Sequence, residues 1–88
     1  MITSAATIRA AIEVAQPLVV TSWVQLDDWI DRNDLTTDRG ALVHTGQLMQ
    51  LWRVTQPTVS RRLSAIRRSG LAEIIRANGI RGCWWVKR

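Results

Sequence analysis

The punctuation between Thr45 and Val86 constrains this chain more than any other feature of its sequence. Leu48, Leu51 and Trp52 recur at helical spacing, then Val54-Thr55 breaks the register. Val59, Leu63 and Ile66 then recur at steps of four and three, which is one stripe of a second helix. Thr55 stands where a cap for that helix belongs, and Pro57 falls in its first turn, where a missing N–H costs nothing. Ser69-Gly70 closes it, with glycine at the position that favours a left-handed backbone. Leu71–Ala77 and Gly82–Val86 then read as two strands around Asn78-Gly79, a strong hairpin signal. Thr45 is the expected cap of the first helix, over Gly46–Arg53.

The first half is less regular. Ser4 is a reasonable cap for a helix whose inward face is Ala5, Ile8, Ile12 and Ala15, and Pro17 is expected to end it. Leu18-Val19-Val20 is too short to type by its period. A second helix is expected from about Ser22 to Arg32, with Trp23, Leu26 and Ile30 on one stripe. Asn33–Gly40 reads as a turn, and Ala41-Leu42-Val43 as a short strand. The expectation is an α+β domain, mainly helical with a small hairpin. Its parts are an N-terminal helix (1–17), a core helix and strand (18–44), a helix pair (45–70) and a hairpin (71–88).

Charge divides the chain in two. Residues 1–40 carry three basic and six acidic side chains, whereas residues 41–88 carry nine basic side chains and one acid, Glu73. A basic half is the footprint of a polyanionic partner. Eleven of the twelve cations are arginine, whose planar fork suits phosphate and guanine. A GC-rich genome would explain arginine over lysine, but not this segregation.

Several function classes find no support. Cys83 is the only cysteine and His44 the only histidine, so the chain alone cannot assemble a disulfide or a structural zinc site. Cys83 reads as a small apolar strand residue, and His44 as a surface or capping residue. Asp27, Asp31, Asp34 and Asp38 lack a nucleophile or base beside them, which makes a solvated face the better reading. No glycine-rich phosphate loop or nucleophile elbow is present, so neither enzymatic activity nor a cofactor is expected. No apolar run reaches the roughly 18–20 residues of a membrane helix, and the opening Met-Ile-Thr-Ser-Ala lacks the basic start of a signal peptide. A cytoplasmic protein is the expectation. With no Phe or Tyr, the five tryptophans must supply the core's bulk. Trp84 and Trp85, adjacent in a strand, point to opposite faces, which leaves one of them for an interface.

Two helices joined by a tight turn and followed by a hairpin form the order of a winged helix-turn-helix. The run Val54-Thr55-Gln56-Pro57-Thr58-Val59-Ser60-Arg61-Arg62-Leu63, with Ile66 and Ser69-Gly70-Leu71, resembles the recognition helices of bacterial MarR-, ArsR- and GntR-type regulators. The resemblance covers Thr45–Arg88 and implies the superfamily, not one family. It implies a prokaryotic or phage transcriptional regulator, a repressor acting as a dimer on double-stranded DNA.

The residues support that implication independently. With Val59, Leu63 and Ile66 inward, a rotation of about 100° per residue turns Pro57, Arg61, Ser64 and Arg68 outward, with Gln56, Ser60 and Arg67 on one flank and Thr58 on the other. Gln56, Thr58 and Arg61 are the expected base readers, and Ser60, Arg62, Arg67 and Arg68 the expected phosphate contacts, with Ser64 beside them. A two-residue turn at Asn78-Gly79 would oppose Arg76 to Arg81 at a wing tip, an unfavourable pair unless a phosphate lies between them. The same register would put Leu71, Ile75, Trp84 and Val86 on the core face; a longer loop, Asn78–Gly82, would change these partners. Ile8, Ile12 and Ala15, with Trp85, are the candidate seam of a homodimer, the alternative being that this helix packs on its own domain. The acidic first half is a candidate surface for a protein partner. The alternatives carried forward are a winged-helix interaction module and a phage or plasmid replication, partition or excision factor using the same DNA-binding surface.

Overall fold

In the computed structural model the stretch Ser22–Arg32 is the end of a much longer helix, α1 (Ala5–Arg32). The structure describes the backbone from residue 5 and the side chains from residue 18. Ser4 therefore lies outside the described residues, as do the side chains of Ile8, Ile12 and Ala15, the expected dimer seam. Pro17 does not end the helix, contrary to expectation, and Leu18-Val19-Val20 is helical. A proline removes one hydrogen bond from the ladder. Downstream of it, burial of Ser22, Leu26 and Ile30 holds the helix in place, and such packing commonly outweighs local propensity.

The remaining elements are β1 (Thr36–Thr37), β2 (Gly40–His44), α2 (Thr45–Trp52), α3 (Gln56–Arg68), β3 (Glu73–Arg76) and β4 (Cys83–Lys87). The architecture is α+β: three helices and a four-stranded antiparallel sheet in the order β1-β2-β4-β3. The element order, α-β-β-α-α-β-β, differs from the usual winged helix-turn-helix order. The segment expected to be a plain turn contains β1, where Thr37 Oγ1 donates to the Gly40 carbonyl at 2.6 Å. Gly40 has φ +106°, and a Cβ there would stand 2.7 Å from the Val86 carbonyl oxygen, so only glycine lets β2 lie this close to β4.

One core joins the helices to one face of the sheet. Leu26 and Ile30 from α1, Leu48 and Trp52 from α2, and Val59, Leu63 and Ile66 from α3 meet Ala41, Val43, Ile74 and Val86. The stripe read from α3 is the stripe that is buried. Trp52 Nε1 donates to the Ser22 carbonyl at 3.3 Å and ties α2 to α1.

The hairpin takes the longer loop and not the two-residue turn. Arg76 pairs with Trp84, not Arg81, and residues 77–82 form a longer connection. Relative to the two-residue turn, the pairing is displaced by three positions, and an odd displacement changes which residues share a face. Ile74 and Ala72 are consequently in the core, while Leu71 and Ile75 are exposed. Trp84 and Val86 remain on the core side as expected. The physical reason is that Ala77 N–H bonds to the Cys83 carbonyl, not to Ile80, and the Asn78-Gly79 turn closes inside the loop through Ile80 N–H to the Ala77 carbonyl.

Candidate nucleic-acid interface

α2 and α3 are set by their ends. The cap of α2 is His44 and not Thr45: His44 Nδ1 accepts the Gly46 N–H at 2.9 Å, and Gln47 Oε1 accepts the His44 N–H at 2.9 Å. This reciprocal pair is a capping box with histidine in the role usually taken by serine or threonine. Thr45 instead joins the helix to the hairpin, its Oγ1 donating to the Gly82 carbonyl at 3.0 Å. Gly82 sits against this cap: it has φ +74°, and a Cβ there would lie 3.2 Å from His44 Nε2. At the other end of α2, Arg53 takes a left-handed backbone, φ 55°, and its N–H bonds to the Met49 carbonyl. Thr55 occupies the N-cap position of α3 as expected, although its side chain makes no capping bond, and Pro57 lies in the first turn.

This geometry presents one face of α3 to solvent. Gln56, Arg61, Ser64, Arg67 and Arg68 are exposed, and Thr58 and Ser60 are half-buried. Ser60, Arg61, Ser64, Arg67 and Arg68 line one shallow cleft along the helix. Arg61 Nε donates to the Pro57 carbonyl and Arg68 Nε to the Ser64 carbonyl, each at 3.4 Å, which lays both side chains back along the helix. Among the described residues the ion pairs are Arg32–Asp28 and Arg88 with Asp27 and Asp31. The α3 arginines therefore carry uncompensated charge there.

Other expected residues lie elsewhere. Arg62 is half-buried and stacks over Trp52, 5.5 Å from the ring centroid, so part of its charge is directed into the protein's own packing. Thr58, Arg61 and Arg62 also border a cleft of about 270 Å³ between α3 and α1. Arg76 does not face Arg81; it lies over Trp84 at 4.9 Å, while Asn78 and Arg81 stand exposed in the 77–82 loop. Trp85 lies on the outer face of the sheet between Leu42 and Ile75, half-buried.

Two features escaped the sequence reading. Arg53, exposed in the turn between α2 and α3, adds a cation beside the start of α3; its place just before the Val54-Thr55 break was the available signal. Arg88, counted within the basic half, belongs to α1 instead. Its Nη1 bonds to Asp27 at 2.6 Å and Asp31 at 2.7 Å, and its Nη2 to Thr36 Oγ1 at 2.6 Å. The hydrogen bonds that Arg88 donates to Asp27 and then to Asp31 raise its pKa above the ordinary arginine value. No local pattern links residues so far apart in the chain.

Among the described residues, no three His, Cys, Asp or Glu side chains come together as a metal site would require, and no helix is long and apolar enough to cross a membrane. No protein-family model, curated protein or solved structure matches the chain.

Proposed function

We propose that this chain is a sequence-specific double-stranded DNA-binding regulator of the winged helix-turn-helix type. In this reading α2 and α3 are the helix-turn-helix, β3 and β4 with their loop are the wing, and β1 is an addition to the usual order. The observation that carries it is the exposed face of α3, where Gln56, Arg61, Ser64, Arg67 and Arg68 stand together without an acidic partner among the described residues. A helix of this width fits the major groove. There arginine forks onto guanine, glutamine onto adenine, and the flanking cations meet phosphates.

Gln56, Thr58 and Arg61 are the assigned base readers. Arg67 and Arg68 are assigned to the backbone, with Ser60 and Ser64 as hydroxyl donors to it. Arg53 is added to the phosphate contacts because it flanks the start of α3. Arg62 takes a smaller part, since it is stacked on Trp52. A homodimer would read two half-sites, and Trp85 on the outer sheet face is a surface for a second copy.

Selection of bound fragments from a random duplex pool tests this reading. A recurring motif, together with a steep fall of affinity with salt, is the expected result. Enrichment of no motif, with binding absent or indifferent to salt, overturns it and favours the interaction-module reading, which the exposed Val20 and Val24 on α1 would serve.

A further inference from the structure

The cleft between α3 and β3 has a chemistry of its own. It measures about 300 Å³ and is lined by Leu63, Ser64 and Arg67 from α3 and by Arg76 and Trp84 from the sheet. Ser64 and Arg67 also line the shallow cleft on the outer face of α3, so the two surfaces are continuous. Arg67 and Arg76 are exposed, and neither is in an ion pair among the described residues.

Arg76 rests on a pedestal. Its guanidinium carbon lies 4.9 Å from the centroid of the Trp84 ring, within the range of a cation–π contact. Trp84 Nε1 donates to Thr45 Oγ1 at 3.3 Å, and that hydroxyl donates in turn to the Gly82 carbonyl. The Thr45 N–H reaches the same carbonyl at 2.8 Å. The ring under Arg76 is thus held by the first residue of α2 and by the end of the wing loop. A long side chain that would otherwise lose rotamer freedom on binding is held in advance.

We propose that Arg67 and Arg76 clamp a single phosphate of the DNA backbone between α3 and β3, and that Trp84 is the positioning residue for Arg76. The proposal rests on the DNA-binding reading above and refines it. A helix lying in the major groove is bounded on both sides by sugar–phosphate strands. The element beside α3 meets one of those strands, and here that element is β3. The clamp separates Arg76 from Arg81: the first belongs to the cleft, the second to the loop beyond it.

The test is a salt titration of the full chain on a labelled random-sequence duplex of about 20 base pairs. Each phosphate contact contributes about 0.9 to the log–log slope. R76A is expected to flatten the slope by about that amount and to weaken binding roughly five- to tenfold at about 0.1 M salt. W84F, which keeps an aromatic face, is expected to retain the slope. W84L, which removes it while leaving Arg76 in place, is expected to lose slope as R76A does.

A wild-type chain with no salt-dependent duplex binding overturns the DNA reading and the clamp together. Steep wild-type binding with an unchanged slope in R76A overturns the clamp alone. A folded W84L that keeps the slope removes the positioning role. Should W84L fail to melt cooperatively, R76A decides the clamp, since Arg76 is exposed, and W84M, which also removes the aromatic face but supplies an adaptable apolar side chain, decides the pedestal.

Discussion

Arg88 and Asp27, sixty-one positions apart, meet at 2.6 Å, and the same guanidinium reaches Asp31 and Thr36. The end of the last strand is thereby fastened to the last turns of α1 and to β1. Three acceptors on one planar fork make a network, which contributes more reliably than an isolated surface pair.

Arg88→Ala is expected to lower stability by about 1 kcal/mol, an exposed pair's value at its upper end. The effect should shrink in high salt. Hydrogen bonding raises the folded-state pKa of Arg88, so its stabilisation is fully present below the unfolded value and is lost only as pH rises through the folded one. Thermal melts of wild type and variant should therefore differ equally at about pH 7 and about pH 10, both well below the arginine range.

Ile74 and Ile75 are neighbours with opposite fates, 3% and 61% exposed. Ile74→Ala is expected to cost about 2–5 kcal/mol, and Ile75→Ala no more than about 0.5 kcal/mol. Urea denaturation of the two variants measures this directly. Equal costs would contradict the Arg76–Trp84 register.

His44→Ala removes the side-chain acceptor at the start of α2 and is expected to cost about 0.5–2 kcal/mol, with His44→Asn recovering most of it. Hydrogen exchange should show faster opening of the Gly46 amide in the alanine variant. An unchanged Gly46 amide would mean that the cap contributes nothing in solution.

Arg61→Ala is expected to weaken the selected site by about 1–3 kcal/mol and to relax preference at one base pair. Arg81→Ala, in the exposed loop, should weaken all duplexes alike. Competition binding against single-base variants of the selected site separates the two. An Arg61→Ala protein with the wild-type preference would remove that residue from the base readers.

Local patterns were legible wherever a short stretch carries its own physical cause. The stripe Val59, Leu63 and Ile66, the proline in the first turn of α3 and the Ser69-Gly70 stop are such cases, because period, ring geometry and left-handed backbone act within a few residues. The exposed arginines of α3 follow from the same stripe by rotation. Pro17 misled for the complementary reason: its local cost is real, and the burial of Ser22, Leu26 and Ile30 that opposes it depends on partners in other elements.

The sequence by itself determined that a basic, amphipathic helix follows a short helix and precedes two strands. The tertiary structure decided which charges that helix shares its surface with. The hairpin's odd displacement moved Arg76 from a wing tip to the ring of Trp84 beside Arg67, and the fork of Arg88 was spent on Asp27 and Asp31. Both outcomes depend on strand register and on pairs distant in the chain. Side-chain period repeats every two residues along a strand, so a single ambiguous loop length exchanges its faces, and only the packed core selects between them.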